Sequence, residues 1–171
     1  MRLSWFHYVS FVLISAPQLA DANAQSDTTI SNDTILEVEN CIENTAAVFS
    51  DGTECMGIIF KACEHHDRST YEIAHCLRLE RDYWLSKVDL YAQRLTEHFE
   101  AEQRTSVTGK SLAKSLETSQ ETWREYYEGV CDFEHDFVGN GSMRLTKSAG
   151  CERDFAGERA LYLYEVLNRG S

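Results

Sequence analysis

Cys131 and Cys151 bracket the turn Gly139-Asn140-Gly141, and the residues on both sides of that turn recur at helical spacing. Trp123 lies about two turns before Cys131, and Arg159 about two turns after Cys151, so each pair shares one face of its helix. The spacing predicts a helical hairpin over residues 120–163, with the two cysteines facing each other near its closed end. A bridge there closes a loop of twenty residues, worth roughly 3 kcal/mol in the chain-entropy account.

The rest of the chain keeps the same period. Thr34 and Glu37 make a capping box ahead of a helix carrying Ile35, Val38, Cys41 and Ile42 on one face. A short helix over residues 53–64 is expected to bury Ile58, Ile59, Ala62 and Cys63. Ser69 and Glu72 form a second capping box. It opens a long helix with the stripe Ile73, Cys76, Leu77, Trp84, Val88, Tyr91, Leu95 and Phe99. Glu80 falls on that stripe, where a carboxylate must be half-exposed or paired, and Arg159 is a candidate partner. A further helix, starting between Thr108 and Ser111, carries Leu112, Leu116, Gln120, Trp123, Tyr127, Val130 and Cys131. Ser142 can cap the last helix, whose buried face is expected to include Leu145, Phe155, Tyr162 and Val166. No segment alternates as strands do. The expected fold is all-α, an antiparallel bundle of about four to five helices stapled by disulfides.

The N-terminus reads as a secretory signal over residues 1–24. Arg2 supplies the positive end, residues 8–14 are mostly apolar, and Ala22-Asn23-Ala24 is a small-residue cleavage site. Residues 25–32 are polar and read as a flexible tail, leaving 33–171 as the helical domain. All six cysteines lie beyond the predicted cut, which fits an oxidising compartment, periplasmic or secreted. None forms a CxxC pair, which disfavours a zinc or thioredoxin-type centre. For the four outside the hairpin, Cys41 with Cys55 and Cys63 with Cys76 is the favoured pairing. The nested set, Cys41 with Cys63 and Cys55 with Cys76, remains open. The formal charge of −12 suits a cationic partner and disfavours nucleic acid or an anionic membrane, although many exported proteins are simply acidic.

The residues Gln120-x-x-Trp123, Cys131, Gly141-Ser142, Cys151, Arg159 and Leu163, with Cys76, Trp84, Leu85 and Tyr91 upstream, resemble the LprI-like lysozyme-inhibitor family. The resemblance spans residues 63–163 and implies a small exported helical domain. Two positions depart from the family pattern. Tyr127 stands where an arginine is common, and Asn140-Gly141 replaces a paired glycine.

The resemblance implies an exported binding protein that inhibits lysozyme non-covalently. Lysozymes are typically cationic with an acidic cleft, so an inhibitor needs an acidic body and a neutral or basic loop. Asn140, Gly141, Ser142 and Arg144 are the candidate loop: a close backbone approach, a hydroxyl donor and a guanidinium for a cleft carboxylate. The plainer reading of Gly141 and Ser142 is a turn and a helix cap. The alternatives are a cell-envelope scaffold without lysozyme contact, or a metal- or ligand-binding protein using His65, His66, Asp67 and His75. No HExxH, GxSxG or phosphate-loop motif occurs, so no catalytic residue, metal or cofactor is expected. Trp84, Trp123, Tyr91, Tyr126 and Tyr127 could line a ligand groove, but at helical spacing they read first as core. Tyr126 and Tyr127 are adjacent, so one of them must face outward.

Overall fold

A computed structural model describes residues 30–48, 51–63 and 69–169. The predicted signal, most of the predicted tail, and His65, His66 and Asp67 lie outside the described residues. Within them the chain forms α1 (Asn32–Val48), a 3-10 turn (Thr53–Cys55), α2 (Ile58–Cys63), α3 (Thr70–Ala101), α4 (Leu112–Phe137) and α5 (Met143–Arg169). The architecture is an all-α bundle stapled by disulfides, and no strand occurs among the described residues. None of the described helices is long and apolar enough to cross a membrane.

Local chemistry sets the helix starts. At α3 the Ser69 hydroxyl accepts from Glu72 N, and the Glu72 carboxylate accepts from Ser69 N at 2.8 Å, a complete capping box. Ser111 caps α4 by accepting from Lys114 N. At α1 the cap is Ser31, whose hydroxyl accepts from Thr34 N at 3.1 Å. The helix therefore begins at Asn32, and Thr34 lies within it rather than capping it.

α3 is the central rod. Arg81 on α3 pairs with Glu152 on α5, and one stretch further along Tyr91 meets Tyr164 with ring centroids 5.4 Å apart. The contacts advance together, so α3 and α5 run parallel, while α4 returns antiparallel between their ends. Trp84, Val88, Tyr91 and Leu95 of α3 form the core with Val38 and Ile42 of α1, Cys55, Ile59, and Ala156, Ala160 and Leu163 of α5. A smaller cluster of Ala74, Leu77 and Ala149 fills the other end.

The buried face of α5 differs from the expected one. Tyr162 is 53% exposed, and Leu145, Phe155 and Val166 are only half-buried. Ala149, Ala156, Gly157, Ala160, Leu161 and Leu163 take the inside instead. Small side chains allow α5 to lie close against the bulky stripe of α3, an alternation of large and small that fills space without voids. In the second segment Ile59 is buried, Ile58 and Cys63 are half-buried and Ala62 is exposed.

Three bridges close the fold, joining Cys41 to Cys55, Cys63 to Cys76 and Cys131 to Cys151, with Cα separations of 5.6, 5.6 and 5.5 Å. This is the sequential set rather than the nested one. Each bridge joins elements that are neighbours in the chain, tying α1 to the 3-10 turn, α2 to α3 and α4 to α5.

Candidate functional site

Glu80 is fully buried, and its partner is not Arg159. Its carboxylate accepts from Gly57 N at 2.5 Å, from Phe60 N at 3.1 Å and from the Trp84 indole N–H at 3.2 Å. The first two are free backbone donors at the start of α2, so Glu80 is that helix's cap, supplied from α3. Trp84 and Leu163 are likewise fully buried, so both belong to the core.

Gln120, Trp123 and Arg159 meet on the surface where α4 crosses α5. The Arg159 guanidinium donates to Gln120 Oε1 at 2.6 Å and to the Ser119 hydroxyl at 2.8 Å. It lies 5.7 Å from the centre of the Trp123 ring and 5.3 Å from that of Tyr162. Burial pulls its proton affinity below the ordinary arginine value, with the nearby Tyr162 opposing. Trp123 stacks on Tyr127 with ring centroids 5.3 Å apart. Both tyrosines meet Phe155, with ring centroids 6.2 Å away for Tyr127 and 5.7 Å for Tyr126, but Tyr127 is half-buried and Tyr126 is the outward one at 61% exposure. Beside the cluster is an open groove of about 500 Å³ lined by Ser115, Thr118, Ser119, Thr122, Trp123, Tyr126 and Arg159.

The hairpin tip is the second surface. Gly139 adopts φ 77° and its N–H donates to Asp136 O at 3.1 Å, ending α4. The residue that needs glycine's freedom is therefore Gly139, not Gly141. Asn140, Gly141 and Ser142 are exposed, and Arg144 is half-buried on the first turn of α5. Among the described residues Arg144 makes no ion pair. Phe137 and Met143 flank the turn at 75% and 61% exposure, and Phe133 stands beside Phe137 with centroids 5.6 Å apart. Met143 falls within the loop that the sequence singles out, whereas Phe133 and Phe137 were not singled out there. Phe133 follows Cys131 by two positions, about 200° around the helix, so a bridged Cys131 already turned Phe133 and Phe137 outward. The bridge from Cys131 to Cys151 holds the two helices together below the tip.

No group of three or more potential metal ligands occurs among the described residues. The model of the family described as lysozyme inhibitor LprI matches residues 62–163. No curated protein and no solved structure matches the chain. The match runs from the end of α2 through the whole hairpin to Leu163, more than half of the chain, and the protein belongs to the lysozyme inhibitor LprI family.

Proposed function

We propose that this chain is an exported protein, periplasmic or secreted, that inhibits a cationic lysozyme by presenting the tip of the α4–α5 hairpin to its cleft. The family carries the activity, and the tip carries the choice of surface. Phe137 and Met143 stand exposed on either side of Asn140-Gly141-Ser142, Arg144 is without an ion pair among the described residues, and a disulfide fixes the base. A convex apolar tip with one guanidinium suits insertion into an acidic cleft, because pre-ordering by the bridge lowers the entropic cost of binding. The formal charge of −12 supplies long-range attraction to a cationic partner.

Titration of a c-type lysozyme with the oxidised protein tests this. Inhibition near equimolar ratio is expected, weakening as salt screens the acidic body. Phe137→Ala and Arg144→Ala should each raise the inhibition constant by about tenfold, the size of one well-placed contact. No inhibition at micromolar excess removes the inhibitor reading and leaves a scaffold role. Inhibition untouched by both substitutions clears the tip of involvement.

A further inference from the structure

The amino-acid sequence holds a single Asn-Gly pair, Asn140-Gly141, and it stands at the tip of the α4–α5 hairpin. An asparagine before glycine is chemically labile, because no Cβ shields the glycine nitrogen from the side-chain amide carbon ahead of it. Helices suppress the reaction by holding that nitrogen in the backbone ladder. Asn140 and Gly141 are both exposed and lie outside the helices. Neither the Asn140 side chain nor the Gly141 N–H makes a hydrogen bond among the described residues. A Cβ built on Gly141 would meet nothing within 4 Å, so there is room for a ring to close.

The competing positions are held. Of the other asparagines beyond the predicted signal, Asn40, Asn44 and Asn168 lie inside α1 and α5. Asn32 opens α1 ahead of Asp33, whose side chain shields its nitrogen. Asp51-Gly52 is the other pair of this shape. There Asp51 Oδ1 accepts from the Thr53 N–H at 3.1 Å and from its hydroxyl at 2.8 Å, and Gly52 is buried. These hydrogen bonds, the backbone one foremost, favour the ionised carboxylate, which is the unreactive form.

We propose that Asn140-Gly141 is a self-modification site that places a new carboxylate on the hairpin tip. The Gly141 nitrogen loses its proton and attacks Asn140 Cγ. The new C–N bond displaces ammonia as the Cγ–Nδ2 bond breaks, leaving a cyclic imide. Water then opens the imide at either carbonyl, giving aspartate or isoaspartate, so the step needs no oxidant. Either product makes the formal charge one more negative than −12 and sets that charge between Phe137 and Met143 in the chain. The consequence rests on the proposed inhibitor reading: a carboxylate on the tip repels an acidic cleft, so lysozyme binding fades as the protein ages.

The test incubates the oxidised protein near neutral pH at body temperature and maps its peptides over days by mass and retention. Asn140 should convert to a mixture of aspartate and isoaspartate, with Asn40, Asn44, Asn168 and Asp51 unchanged. Gly141→Ala, at a position with open space and no left-handed φ, should slow the conversion at least about tenfold. Fresh Asn140→Asp protein should inhibit lysozyme about tenfold more weakly than the fresh parent. Persistence of Asn140, an equal rate in Gly141→Ala, or equally fast isomerisation at Asp51 overturns the site, and equal inhibition by Asn140→Asp overturns its effect. The mapping contains no lysozyme, so a fresh parent that fails to inhibit counts against the inhibitor reading alone.

Discussion

Replacing Glu80 is the most direct probe of how this fold is held. Its carboxylate is fully buried and accepts three N–H donors, two from the start of α2 and one from Trp84. Glu80→Ala leaves all three buried donors without a partner and opens a cavity beside Trp84. A hydrogen bond to a charged group contributes about 1.5–3 kcal/mol, and the terms within one network are not additive, so the expected loss is about 3–5 kcal/mol. Glu80→Gln is the sharper test, because its volume is unchanged. The amide offers one acceptor oxygen, which can keep Gly57 and Trp84, but its NH2 then points at the Phe60 N–H, donor against donor. About 1.5–3 kcal/mol should be lost, a large part of the stability of a single domain. Urea unfolding with disulfides intact, followed by circular dichroism, measures both variants. Amide exchange at Gly57 and Phe60 reports whether α2 loosens before the rest. A Glu80→Gln protein within about 0.5 kcal/mol of the parent, with both amides still protected, would refute the capping account.

Two glycines with the same backbone conformation separate strain from packing. Gly52 and Gly139 both have φ 77°, but a Cβ on Gly52 would meet Leu161 Cδ2 at 2.8 Å while one on Gly139 meets nothing within 4 Å. Gly139→Ala should cost about 1–2 kcal/mol from left-handed strain alone, and Gly52→Ala about 1–3 kcal/mol more from overpacking; equal losses in thermal unfolding would contradict the contact with Leu161. Burial, followed by the hydrogen bond to Glu39, raises the Tyr83 phenol above the ordinary tyrosine range, and burial with the charge of Glu39 does the same for Tyr91. The folded state therefore holds these protons more tightly than the unfolded one. Stability is intact below the unfolded value of about 10 and falls as pH rises above it. Rapid-mixing absorbance at 295 nm should show two tyrosines ionising only with unfolding, and full ionisation near pH 10 in the folded protein would contradict their burial.

The long helix α3 was legible because its start and its inside face are both local signals: Ser69 with Glu72, and large apolar residues at steps of three and four. The destination of Glu80 was not. Its position on the stripe required a partner, but Gly57 and Phe60 lie more than five turns of helix away along the chain and offer only backbone N–H groups, which leave no trace in composition. The inside face of α5 was misread for a related reason. Patterning looks for large apolar side chains, and Tyr162 fits it, but the partner α3 already supplies the bulk, so α5 answers with alanines and a glycine. Gln120, Trp123 and Arg159 were visible as a shared pattern, while their meeting depends on the angle at which α4 crosses α5. That angle is a property of the packed pair, not of either helix.

These differences converge on α4. Among its residues only Ala113 and Cys131 are buried, whereas α3 buries residues from Ala74 to Leu95. α4 is held by the Cys131–Cys151 bridge at one end, the Arg159 cluster near its middle and the exposed pair Asp89–Arg124. An exposed pair contributes little, so the bridge, the Arg159 cluster and the packing of Leu116 and Trp123 against the core hold α4 in place. α4 covers the core along one side only, keeps large side chains of its other side in solvent, and ends at the proposed lysozyme-binding tip. The core formed by α1, α3 and α5 can thus remain fixed while α4 varies its outer face. Arg159 ties the middle of α4 to α5 through Gln120 and Ser119.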